Sequence, residues 1–156
     1  MKFPTKFAVL LFSSCLVITS CNKDDDEDPI VPPNTTSLLT SHEWILTNVT
    51  LPFPLNGINA WDSMPACEKD NFYKFNIDYT GYIDNATLKC DPLSPQRENY
   101  TWMWKDNETT IEIPADSSGA ATIFKNVVIT TTTMTAKTEW EEQGIVVTAN
   151  LTFGVH

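Results

Sequence analysis

From His42 to Phe153, apolar residues recur at every second position in runs of six to ten residues, and short polar clusters separate the runs. Period two marks strands with one buried face. Eight strands are predicted, over 42–51, 71–78, 82–90, 100–105, 109–114, 122–129, 133–141 and 145–154. One face reads directly as Tyr73, Phe75 and Ile77; Tyr100, Trp102 and Trp104; Ile111 and Ile113; Met134, Ala136 and Trp140; and Ile145, Val147, Ala149, Leu151 and Phe153. The alternate positions, among them Lys74, Lys105, Glu112, Lys137, Glu139, Asn150 and Thr152, are mostly polar. The run from Phe124 to Ile129 accepts either phase or a bulge. No segment carries an i, i+3, i+4 apolar stripe of helical length, which confines helices to short turns within loops.

Consecutive strands joined by links as short as 79–81, 106–108 and 142–144 must be antiparallel neighbours, because a parallel crossover needs a dozen or more residues. One apolar face per strand in a sequential meander leaves a sandwich or a sheet closed on itself. In an up-and-down barrel, strand parity sorts the connections. The links 52–70, 91–99, 115–121 and 142–144 share one, looped end; 79–81, 106–108 and 130–132 share the other, closed end, where the first strand begins.

Upstream the pattern changes. Lys2 and Lys6 precede an apolar run from Phe7 to about Ile18, then small residues and Cys21. The run falls short of the roughly 20 apolar residues that span a bilayer, and Lys23 and five acids cut it off. It reads as a secretory signal. Ile18-Thr19-Ser20-Cys21 resembles the bacterial lipobox, in which the signal is removed before a cysteine that then carries acyl chains. That resemblance implies a signal peptide over 1–20, lipidation of Cys21 and attachment to a lipid bilayer. Residues 21–37, rich in acids and with Pro29, Pro32 and Pro33, read as an extended tether. Lys23 followed by acids resembles the export signal of Bacteroidetes surface lipoproteins. It implies an outer-membrane anchor facing the cell surface, with the periplasmic face as the alternative.

Charge narrows the partners. The chain carries 20 acids against 10 Lys and Arg, a formal net charge of −10 at pH 7, and removing 1–20 takes two of the lysines away. Without a basic patch, phosphate backbones are repelled, so no nucleic acid is expected as a partner. Of four cysteines, Cys15 leaves with the signal and Cys21 is acylated, so Cys67 and Cys90 remain as a pair outside the cytosol. That pairing predicts a disulfide, and parity brings both residues to the looped end.

Three stretches carry a resemblance over 38–156: Leu38-Leu39-Thr40-Ser41-His42-Glu43-Trp44-Ile45-Leu46, the Ala66–Phe75 segment, and the stretch from Cys90 to Trp102-Met103-Trp104. They resemble the lipocalin-like lipoprotein domains of Bacteroidetes. The resemblance implies an all-β, eight-stranded antiparallel up-and-down barrel, closed so that no edge is left, over 38–156.

Candidate chemistry is sparse. Only His42 and His156 are available as histidines, neither within a motif, and no nucleophile, base and acid are grouped. No catalytic residue, metal site or cofactor is expected. The inward aromatics Tyr73, Phe75, Tyr100, Trp102, Trp104 and Trp140 either wall a small apolar or aromatic ligand or fill the barrel, and rings this large in eight strands favour filling. The 52–70 loop, with Phe53, Leu55, Ile58, Trp61 and Met64, is either a lid over the mouth or a patch for an envelope protein. Asp62-Ser63-Met64 within it resembles the O-glycosylation site of Bacteroidetes.

Overall fold

The computed structural model describes residues 34–51, 59–115, 120–142 and 144–156. The signal peptide, Cys21, the tether up to residue 33, and Phe53, Leu55 and Ile58 of the long loop therefore lie outside the described residues. The described chain runs α1 (Thr35–Ser41), β1 (Glu43–Thr50), α2 (Ala60–Ser63), α3 (Ala66–Lys69), β2 (Phe72–Phe75), β3 (Thr80–Asp84), β4 (Arg97–Thr101), β5 (Met103–Lys105), β6 (Thr110–Ile113), β7 (Thr122–Ile129), β8 (Thr133–Glu142) and β9 (Ile145–Val155).

All pairings are antiparallel, and the sheet order is β4-β3-β2-β1-β9-β8-β7-β6-β5. The two strands that end this order are joined through Trp102 alone, so the sheet curls into a nearly closed up-and-down barrel. Nine strands replace the eight expected because the fourth run starts earlier, at Arg97, and breaks at Trp102. There the backbone N–H makes the last bond along β3, donating to the Tyr79 carbonyl at 2.9 Å, before the chain passes over to pair with β6. The indole Nε1 donates to the Thr80 carbonyl at 3.0 Å.

Two further boundaries differ from the period-two reading. The second strand stops at Phe75, because Asp78 Oδ1 captures the Thr80 N–H at 3.1 Å and its hydroxyl at 2.7 Å. This is a side-chain-built turn. Those bonds hold the Asp78 carboxyl below its usual range, and Ile77, expected on the inner face, is 70% exposed. The third strand runs from Thr80 to Asp84, which leaves 85–96 as loop. Within β7 the ambiguous run is a bulge. Register shifts between Lys125 and Val128, and Asn126 takes φ +52°, a conformation asparagine tolerates. As a result both Phe124 and Val127 are buried.

The helix α1 departs most from expectation, beginning within the stretch read as tether. Seven residues do not hold a helix in water by themselves. Here Asn34 Oδ1 caps it by accepting from the Ser37 N–H at 2.7 Å, and Leu39 is fully buried. Indole donors fix it from both sides: Trp44 Nε1 to the Leu39 carbonyl at 2.9 Å and Trp104 Nε1 to Thr36 Oγ1 at 2.8 Å. Lys74 Nζ adds a bond to the Thr40 carbonyl at 2.9 Å. The helix thus stoppers the closed end, beside the turns at 76–79, 106–109 and 130–132.

At the looped end Cys67, in α3, is bonded to Cys90 with Cα atoms 5.2 Å apart. The bond closes a loop of 23 residues in sequence separation, worth about 3 kcal/mol in the chain-entropy model. Asn59 Oδ1 caps α2 through the Trp61 N–H at 3.1 Å. Ala60, Trp61 and Met64 then pack against the core, so this part of the long loop is barrel structure.

Candidate functional site

Filling of the barrel falls off from the closed to the looped end. Along the inner face of β8, Met134 is fully buried, Ala136 is buried, Thr138 is half-buried and Trp140 is 40% exposed. The inner face of β9 repeats the trend from Phe153, 2% exposed, to Ile145, 67% exposed. The lower half is a floor of interlocked rings: Phe75 and Trp102 meet edge-on at 5.5 Å, Trp102 and Trp104 at 5.8 Å, and Phe124 and Phe153 at 5.9 Å.

Above and beside this floor lies an open cup of about 980 Å³, which reaches down along β3 and β4 to Asn76 and Thr80. Its inward-facing walls include Tyr73 from β2, Ile83 from β3, Glu98 and Tyr100 from β4, Ile113 from β6 and Thr138 from β8. Register fixes these directions: Tyr73 is paired with Ile83, Ile83 with Glu98, and Gly81 with Tyr100. The residue at 81 must be glycine, since a Cβ there would collide with the Tyr100 ring and the Lys74 carbonyl. The Tyr100 ring lies over Gly81, and its hydroxyl donates to the Lys74 carbonyl at 3.0 Å. Burial pushes the phenol pKa of Tyr100 well up. Tyr73 is raised first by burial and then by the Glu68 charge, so both phenols stay neutral.

The cup also opens sideways. Below the gap, β5 and β6 are paired from Met103↔Glu112 to Lys105↔Thr110. Above Trp102 the two banks part, with β4 paired only to β3 and Ile113 only to Thr122 of β7. Pro114, which lacks an N–H, stands where β6 would otherwise continue along β4. The cavity reaches both banks, Asn99 and Thr101 on one and Pro114 and Ala115 on the other. The β4 bank is guarded by polar side chains, as exposed edges usually are. Outside it, Arg97 Nε lies 2.7 Å from Asp84 Oδ2 and the guanidinium sits 4.4 Å above the Tyr82 ring. This pairing holds the Asp84 carboxyl below its ordinary value.

Of the six aromatics singled out in sequence, Tyr73 and Tyr100 line the cup. Phe75 and Trp102 belong to the buried floor, Trp104 packs beneath it against the core, and Trp140 stands on the inward phase at the rim. Cup residues not singled out include Gly81, Ile83, Glu98, Thr122 and Thr138. For the glycine and the threonines a signal was present, since small residues on an inward phase mark places where side chains do not fill a barrel. The two histidines lie at the closed end. His42 is edge-on to Trp44 at 5.7 Å, and His156 is stacked on Phe72 at 4.5 Å with Nδ1 3.8 Å from Glu43 Oε2. Among the described residues no three His, Cys, Asp or Glu side chains are grouped to hold a metal ion. Ser63 is exposed in α2, its hydroxyl donating to the Ala60 carbonyl at 3.0 Å.

No protein-family model matches the chain, and no curated protein matches it. Function is therefore read from the cup itself, because a barrel alone hosts many roles.

Proposed function

We propose that this protein is a lipocalin-like, non-enzymatic binding module of a lipoprotein, anchored through Cys21 to the outer membrane, which holds a small apolar or aromatic molecule in the cup. The observation that carries this reading is the half-filled barrel: a rigid aromatic floor and a cavity of about 980 Å³ beside and above it, walled by Tyr73, Tyr100, Ile83 and Ile113 together with Glu98 and several threonine and asparagine side chains, a concave site with apolar faces and polar groups to orient a ligand. The described chain begins at Asn34, which caps the helix at the closed end. Titration with N-phenyl-1-naphthylamine, a neutral probe that brightens in apolar surroundings, tests the cup. Saturable brightening, abolished in Thr138→Trp where an indole fills the cavity, is expected; equal brightening in both proteins would overturn it. Lipid labelling that is lost in Cys21→Ala tests the anchor.

A second reading is favoured by the apolar side chains left exposed at the looped end: Leu88, Leu93, Ile145 and Val146. On it, the rim contacts another envelope protein and the barrel is a rigid mount. Co-purification that is lost in Leu93→Asp and Val146→Asp, with probe binding absent, is its expected outcome.

A further inference from the structure

We propose that the cup selects an organic cation with a flat apolar body, an arylalkyl ammonium, with its positive charge at Glu98 and its ring against Tyr73 and Tyr100; this rests on the reading of the cup as a ligand site. Among the described residues, Glu98 is the single charged side chain lining the cavity, and no lysine, arginine or histidine stands in the wall. The sequence segments outside the described residues between 34 and 156, namely 52–58, 116–119 and 143, contain none either.

Five basic side chains of the barrel are committed elsewhere, Lys69 Nζ lies over the Trp61 ring, and Lys137 is on the outward phase of β8. Arg97 is paired with Asp84 at 2.7 Å, Lys125 with Glu139 at 2.6 Å and Lys105 with Glu112 at 3.6 Å. Lys74 Nζ is turned to the carbonyls of Thr40 and His42 at the closed end, and Lys89 Nζ to that of Ser94. Glu98, by contrast, is on the inward phase opposite Ile83 and makes no ion pair among the described residues. A ligand carboxylate placed here would meet a carboxylate and two π-faces with no cation to offset it. An ammonium would meet an unpaired carboxylate and ring faces that attract positive charge. The net charge of −10 draws cations toward the molecule and repels anions before contact.

Three probes sharing one ring system separate charge from shape: 1-naphthylmethylamine, protonated at neutral pH, 1-naphthalenemethanol and 1-naphthoic acid, each titrated calorimetrically into the full chain. The amine is expected to bind about tenfold more tightly than the acid, the size of one charge contact in a half-solvated site, with the alcohol between them. Glu98→Gln is expected to remove the amine's advantage over the alcohol while leaving the alcohol's affinity unchanged, and added salt to shrink that advantage. An acid that binds as tightly as the amine, or an advantage that survives Glu98→Gln, overturns the assignment of charge while the cup remains a ligand site. Absence of binding by all three, or binding that persists in Thr138→Trp, overturns the cup reading and this proposal with it.

Discussion

The two halves of this barrel are built from the same strands to opposite ends. In the closed half Trp44, Phe75, Trp102, Ile111, Met134 and Phe153 are almost wholly out of water, and α1 seals what the rings leave open. In the looped half the same inner faces continue as Thr138, Trp140, Val147 and Ile145, with exposure rising at each step toward the rim. A strand of ten or eleven residues is long enough to bury one end and leave the other open. Stability is thus concentrated at one end of the barrel and available surface at the other.

The sharpest way to break the contrast is Trp102→Ala. It empties the floor and removes the indole bond at the corner where β4 becomes β5, so a loss of about 3–5 kcal/mol is expected, measured by urea unfolding. A loss below about 1 kcal/mol would mean the closed half does not carry the fold. Next comes the looped end, where stability rests on a covalent link. Cys67→Ala with Cys90→Ala is expected to cost about 3 kcal/mol, mostly through the unfolded chain, by the same measurement.

The third test uses acid. The Arg97 bond depresses the Asp84 pKa in the folded state. Its stabilisation is therefore complete above the unfolded aspartate value of about 3.9 and is lost as pH falls through the lower folded value. In Asp84→Asn that acid limb of the stability profile should be flatter, and the difference from the parent should shrink in salt because Arg97 is 55% exposed. The smallest effect is expected for Trp140→Ala at the rim, under about 1 kcal/mol. A loss as large as that of Trp102→Ala would show the rim to be core.

Which face of a strand is buried was legible in the sequence, because alternation is local. The antiparallel order and the two ends follow from it, while the Cys67–Cys90 bond follows from the cysteines left over once Cys15 and Cys21 are set aside. Depth along the barrel axis was not legible. Tyr73 and Phe75 share a phase, yet one borders the cup and the other lies beneath it, and nothing within two residues records which is nearer the floor. The α1 helix was hidden for a related reason: its seven residues are held by Trp44, Trp104 and Lys74, partners that only the closed barrel supplies. The early stop of the second strand was written in Asp78-Tyr79-Thr80-Gly81, a side-chain turn that outcompeted the continuing alternation.

The pairing of β1 with β9 bears on how the chain reaches this state. Thr47 Oγ1 bonds the Thr152 carbonyl across 105 residues of sequence, while most other neighbouring strands are separated by short turns. Hairpins can form early and cheaply, but this seam must wait for the whole meander and for the large loop-closure entropy it imposes. Sealing is therefore the slow event of folding, on the millisecond-to-second scale of topologies dominated by distant contacts. Until it occurs, β1 and β9 each present an open edge, and the threonines, glutamates and lysines on their neighbours' outward faces discourage two unfinished chains from completing each other.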